Sequence, residues 1–315
     1  MNLSAERLEL HYYFNDSSHS MDALIRNHCE SQLLAIAFEV AKELSISIQL
    51  ESEAYRKGGL KDIWKVIGNN SVQASLLISV IAIISSRIPM SDPELGDLKK
   101  QDLRLSVEER KLRIKKLKTE LEYEDVSEET VIKVAEALET NLKIVTRKSN
   151  FYKQLNRYNK IDKIGFSALD CNAQPISDER TVLRTNFRNF IIHSHNLSPV
   201  IVEDALIEIV APVLKEGSYR WKGMYDNESI SFSMNDKDFN FDVLNEIISF
   251  KHGATIECVL LIHQKLDETG EVQITGYSVS TVIRKIDSGE ELETLQGKKY
   301  KFNKKQTDAQ SDLFG

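Results

Sequence analysis

Between Ile67 and Ser86 the chain carries no charged residue, although 28% of all its residues are charged. The run reads I-G-N-N-S-V-Q-A-S-L-L-I-S-V-I-A-I-I-S-S. Such a stretch avoids water, because each large apolar side chain withdrawn from solvent contributes roughly 1.5–3 kcal/mol. Three destinations are open: a protein core, an oligomer seam or lipid. The run is about 20 residues long, just the length that spans a bilayer. Lys57, Lys61 and Lys65 bracket it on one side and Arg87 on the other. Asn69, Asn70 and Gln73 are costly in hydrocarbon, which favours a buried helix in a soluble core or oligomer over a membrane-active one. The strongly apolar residues Leu76, Leu77, Ile78, Val80, Ile81, Ile83 and Ile84 form a segment too short to span alone. They are the candidate membrane or oligomer residues. Ala74, Ser75, Ser79, Ala82 and Ser86 permit close helix contact in either setting. A helix hidden in a resting oligomer and released into a bilayer would permeabilise cells, and Ile81→Lys would abolish the effect without unfolding the protein.

A length of 315 residues suggests about two domains. Hydrophobic content of 41% supports real cores. A net charge of -7 argues against a globally basic nucleic-acid coat protein. The three cysteines, Cys29, Cys171 and Cys258, are far apart and odd in number, which fits a reducing cytoplasm better than a disulfide framework. The start, M-N-L-S-A-E-R-L-E-L, lacks the basic segment and apolar core of a secretory signal. The expected location is the cytoplasm, peripheral to or inserted in the inner membrane if the neutral helix is membrane-active.

The patterning predicts an α+β chain in four parts. Residues 1–57 read as a β-α-β unit: a strand over Leu8 to Phe14, a helix opened by Ser20 and Asp22 and running to about Leu44, and a strand through Ile46, Ile48 and Leu50. If the two strands are parallel neighbours, the crossover is right-handed. Gly58-Gly59 breaks the unit. Residues 58–170 read as helical. Leu60 to Ile67 starts a helix that the neutral run continues to about Ile88, where Pro89 and Pro93 stop it. Asp92 to Asp102 is a loop. Val107, Ile114, Leu117 and Leu121 mark a short coiled-coil-like helix. Glu128 to Leu142 is amphipathic, with Val131, Val134, Ala135 and Leu138 on one face. Ser149 to Ser167 is a further helix, and Cys171 to Asp178 a linker. Residues 180–286 read as an antiparallel β barrel or sandwich, with strands over Leu206 to Val210, Ser218 to Tyr225, Ser229 to Met234, Ala254 to Gln264 and Glu271 to Arg284. Residues 287–315 read as a flexible basic tail.

No phosphate-binding glycine loop, dinucleotide fingerprint, H-E-x-x-H, C-x-x-C or G-x-S-x-G occurs. The cofactor is therefore undetermined and no metal set is diagnostic. The densest polar grouping is His11, Asp16, His19 and Asp22, with His28 close by. Imidazole and carboxylate together can bind a metal or run acid–base chemistry, so these four are the candidate catalytic residues of a metal-assisted hydrolase. The plainer assignment makes Asp16 and Ser18 helix caps, His19 an exposed residue and His28 partly buried. Glu51 and Glu53 share a strand face, as do His193 and His195 if extended. Tyr219, Trp221 and Tyr225 fall on one side of a predicted strand, where aromatics can stack bases or fill a core.

Near the C-terminus, Gln310-Ser311-Asp312-Leu313-Phe314 resembles the short peptide by which bacterial proteins dock on the DNA polymerase sliding clamp. The resemblance covers five residues, carried by Gln310, Leu313 and Phe314, with Ser311 where leucine is common. It implies a replication or repair adaptor. Lys298, Lys299, Lys301, Lys304 and Lys305 precede the peptide and are candidate nucleic-acid phosphate contacts. The plainer assignment is a solubilising tail.

The leading expectation is a non-enzymatic interaction or effector protein, a homo-oligomer or membrane-active through the neutral helix, whose β domain senses a ligand or partner. That plan would suit bacterial antiviral defence. The metal-assisted hydrolase and the sliding-clamp adaptor, with nucleic acid reached only through the tail, are the alternatives.

Overall fold

The computed structural model describes residues 5–16, 20–53, 60–68, 71–88, 128–192, 194–287 and 289–311, with side chains described to residue 306. The chain divides into two compact units. The first comprises residues 1–195 with 266–271, and the second residues 196–265 with 272–315.

The first unit is an open sheet covered by helices. Its strands are β1 (Arg7–Phe14), β2 (Ile48–Ser52), β3 (Leu60–Gly68), β4 (Ile161–Leu169) and β5 (Arg180–Leu183), in the order β2-β3-β1-β4-β5. Every neighbouring pair is antiparallel. The helices are α1 (Ala23–Glu43), α2 (Ser71–Ser86), α3 (Glu128–Leu138) and α4 (Leu142–Arg157), followed by a 3₁₀ segment at Arg184–Phe190.

Three expectations change here. The opening β-α-β strands run parallel but are not neighbours, because β3 lies between β1 and β2 and is antiparallel to both. Leu60 to Ile67 is a strand, since its backbone is committed to ladders with β1 on one side and β2 on the other. The segment read as one helix from Ser149 to Ser167 is the end of α4 followed by β4. Strands from residues 1–57 and 58–170 therefore share one sheet, and β5 belongs to it as well. The coiled-coil-like helix, Gly58-Gly59, Pro89 and Pro93 lie outside the described residues.

The neutral run becomes α2, packed on α1, α3 and the sheet. Leu77, Ile78, Val80, Ile81 and Ile84 are fully buried, and Leu76 and Ile83 nearly so, within a single chain. Within this chain the neutral run is core. Among the described residues, no helix is long and apolar enough to cross a membrane. Several polar groups of α2 find partners on distant segments. Ser75 Oγ accepts from Ala5 N at 3.0 Å. At the C-terminus, Tyr152 Oη donates to the Ser85 carbonyl at 2.6 Å, and Lys148 Nζ donates to those of Ile84 and Arg87. These bonds satisfy carbonyls that the helix itself leaves open.

The second unit is a closed β barrel. Its strands are β6 (Val200–Ala211), β7 (Trp221–Tyr225), β8 (Glu228–Met234), β9 (Thr255–Leu266), β10 (Val272–Asp287) and β11 (Glu290–Glu293). The order is β11-β10-β8-β7-β6-β9, and β9 closes on β10. Only three register pairs join β8 and β10, and these are parallel. A helix, α5 (Lys237–Leu244), joins β8 to β9. First, second, third, fifth and fourth strands therefore follow one another around the wall, a Greek-key barrel of the OB kind. Trp221, Phe232 and Phe239 fill its core beside Phe250.

The tail departs from expectation. Residues after Ile286 form β11 and then a helix, α6 (Leu295–Ser311). Thr294 Oγ1 accepts from Gly297 N at 2.9 Å, in the manner of an N-cap. Asp236 ties the elements together. Its Oδ1 accepts from Phe239 N at 3.0 Å to cap α5, and its Oδ2 from Val282 N at 2.7 Å in β10.

Candidate functional site

Alternation on β1 writes two faces into eight residues. Leu8, Leu10 and Tyr12 enter the helix-covered core. Glu9, His11 and Tyr13 project to the other face. Register places Lys61 of β3 and Gly165 of β4 on either side of His11, and Lys163 beside Tyr13. Glu179, from the segment before β5, brings its carboxylate over Gly165. A Cβ on Gly165 would stand 2.1 Å from Glu179 Oε1, so only glycine leaves that carboxylate its place.

The cluster is densely connected. Lys61 Nζ donates to Glu9 Oε1 at 2.9 Å. Tyr13 Oη donates to Glu179 Oε2 at 2.7 Å. His11 Nδ1 lies 3.7 Å from Glu179 Oε1. The His11 and Tyr13 rings are 3.8 Å apart by centroid, and Lys163 Nζ sits 4.2 Å from the Tyr13 ring centre. One ligand atom from each of Glu9, His11 and Glu179 lies within 4.8 Å of the others. Glu9 is buried and the other two are partly open to solvent.

Burial holds the His11 imidazole below its ordinary pKa. The Lys61 ammonium adds to that shift, and the Glu179 carboxylate opposes it. The Tyr13 phenol is pushed above its usual range by burial and by its bond to Glu179. These environments favour an uncharged imidazole beside a protonated phenol, an acid–base pair in form.

Of the candidates His11, Asp16 and Asp22, which lie among the described residues, the structure brings His11 into this cluster. Asp22 is the N-cap of α1, accepting from Leu24 N at 2.9 Å and Ile25 N at 3.0 Å. The helix thus opens at the Ser20–Asp22 position expected from the sequence, and Asp16 does not cap it. Asp16 pairs with Lys160 at 3.5 Å, and His19 lies outside the described residues. His28 is exposed, and Glu53 is held by Arg7. His193 lies outside the described residues. The period-two spacing of Glu9, His11 and Tyr13 was legible. Glu179, Lys163 and Gly165 were not, because pairing of distant segments delivers them.

Elsewhere the candidates fare differently. Trp221 is core, Tyr225 packs against it and Tyr219 is exposed, so these aromatics make no single stacking face. Lys301 is paired with Glu293 and Lys304 with Glu203, so two of the five tail lysines already have acidic partners. Leu313 and Phe314 and the side chain of Gln310 lie outside the described residues. A cavity of about 110 Å³ opens in the first unit, on the core side of β4 against α2 and α3, lined by Ala82, Ile83, Val131, Phe166 and Ala168. Its walls are mainly apolar, with Glu128 and Arg180 as its charged lining, and it offers none of the converging donors of the β1 cluster.

No protein-family model, curated protein or solved structure matches the chain.

Proposed function

We propose that the β1 cluster is a hydrolytic acid–base centre. The observation that carries the reading is the convergence of Glu9, His11 and Glu179 within 4.8 Å, on a half-buried sheet face with Tyr13 at hand. In this reading His11, uncharged near neutral pH, takes a proton from the attacking water and returns it to the leaving alcohol oxygen as the ester bond breaks. Glu179 steadies the imidazole and is itself fixed by Tyr13. Lys61 and Lys163 offset the two carboxylates, and the Lys163 ammonium over the Tyr13 ring stands near the negative charge that develops as an ester is attacked.

A panel of chromogenic carboxylic and phosphoric esters tests the proposal. Hydrolysis by the full chain that falls at least ~100-fold in His11→Ala, a loss expected for a positioned base, supports it. Asp16→Ala and Asp22→Ala should then retain turnover in whatever fraction stays folded. Absence of turnover across the panel, or His11→Ala as active as the parent, overturns it.

A further inference from the structure

We propose that Glu9, His11 and Glu179 together form a site for one divalent transition-metal ion. The inference deepens the hydrolytic reading of the same residues. With His11 Nδ1 on a metal, the imidazole would serve as a ligand and activation of the water would fall to the ion. Its test is independent of turnover. One imidazole nitrogen and two carboxylates are a borderline-hard donor set, suited to Mn²⁺, Fe²⁺ or Zn²⁺. Donors at about 2.1 Å from a tetrahedral ion stand about 3.4 Å apart. His11 Nδ1 and Glu179 Oε1 are already at 3.7 Å, and a Glu9 carboxylate oxygen lies within 4.8 Å of both donor groups.

Two features bear on the cation independently of the donor count. Gly165 keeps open the space that the Glu179 carboxylate occupies, and any larger residue would drive that ligand away. Lys61 Nζ stands 2.9 Å from Glu9 Oε1, so an ammonium already neutralises one of the three donors. A metal ion would take over that role and release Lys61. The lysine is thus an internal competitor for the site. Tyr13, bonded to the second oxygen of Glu179, supports the ligand from behind, the kind of outer contact that orients metal carboxylates.

The competition gives the site a signature that an ordinary ion-pair network lacks. Chelator-treated full-length protein is titrated with Mn²⁺ alone, followed by calorimetry and by the spin-resonance signal of free Mn²⁺. One equivalent should bind. His11→Gln, Glu179→Gln and Gly165→Ala should each weaken binding by about tenfold or more. Lys61→Met should strengthen it, because its competing charge is gone. Circular dichroism identifies any variant that fails to fold, in which case Lys61→Met, which removes no ligand, decides. No binding up to about 1 mM, the weak end for protein sites of divalent ions, overturns the proposal. So does binding that is indifferent to His11→Gln and Glu179→Gln, or weaker in Lys61→Met. Metal binding without ester turnover sinks the hydrolytic reading alone. Turnover that is unchanged after chelation, in protein that binds no Mn²⁺, sinks the metal site alone.

Discussion

Lys148 Nζ lies 3.1 Å from the backbone carbonyl of Ile84, where α4 meets the end of α2. The side chain is almost fully buried, and a second bond reaches the Arg87 carbonyl at 3.2 Å. Burial pushes its pKa down to about 8 from the ordinary 10.5; Glu139 opposes the shift and Arg87 adds to it. Below pH 8 both folded and unfolded chains hold the proton, and the fold bears the cost of a desolvated charge. Between pH 8 and 10.5 the unfolded chain keeps a proton that the folded chain has released. The lysine's contribution to stability therefore rises with pH across that window. Urea unfolding from pH 7 to pH 10 should show the parent gaining on Lys148→Met as pH increases; parallel curves would refute the assignment.

The chain has two tryptophans, Trp64 and Trp221, both buried and one in each unit. Trp64→Phe and Trp221→Phe backgrounds therefore let fluorescence follow each unit separately.

In the Trp221→Phe background, Ile81→Lys should abolish the transition of the first unit. Ile81 is fully buried in α2, and an unpaired charge at such a site costs more than about 4 kcal/mol. A helix kept for a seam or a bilayer would instead leave the monomer folded.

Arg184 closes the C-terminal end of α4. Its guanidinium donates to the carbonyls of Tyr158 at 2.7 Å and Asn156 at 2.9 Å, and to Asn159 Oδ1 at 2.8 Å. Arg184→Ala leaves these acceptors without their charged donor. It should lower the stability of the first unit by about 2–4 kcal/mol, read from Trp64, with Trp221 unmoved.

Asp236→Ala should act on the second unit alone. The change removes the α5 cap and the acceptor for Val282 N together. A loss of about 2–4 kcal/mol is expected, read from Trp221. Asp236→Asn should be intermediate, because it keeps one acceptor oxygen.

Much of this architecture was legible where local pattern and tertiary setting agree. Val131, Val134, Ala135 and Leu138 predict a helix with one buried face, and all four are buried in α3. The barrel strands announce themselves by alternation between turns. Leu60 to Ile67 misled because Leu60, Ile63, Trp64 and Ile67 fit a helical period, whereas ladders on both edges make the segment a strand. The polar tail misled because α6 is fixed by Thr294 and by the seating of Gly297, where a Cβ would stand 2.2 Å from the Ile283 carbonyl. Within the site, His11 was found from its residue type. Glu179 was missed because it falls between the Cys171–Asp178 linker and the predicted β region, and only the β4–β5 pairing brings it alongside β1.

The alternation of β1 has a genetic consequence. Inserting or deleting one codon inside Arg7–Phe14 would turn Leu10 outward and press Glu9 or His11 into the hydrocarbon interior. Length changes there would ruin fold and chemistry in a single event. Variation that retunes this centre must therefore come by substitution at odd-numbered positions, while even-numbered ones stay greasy.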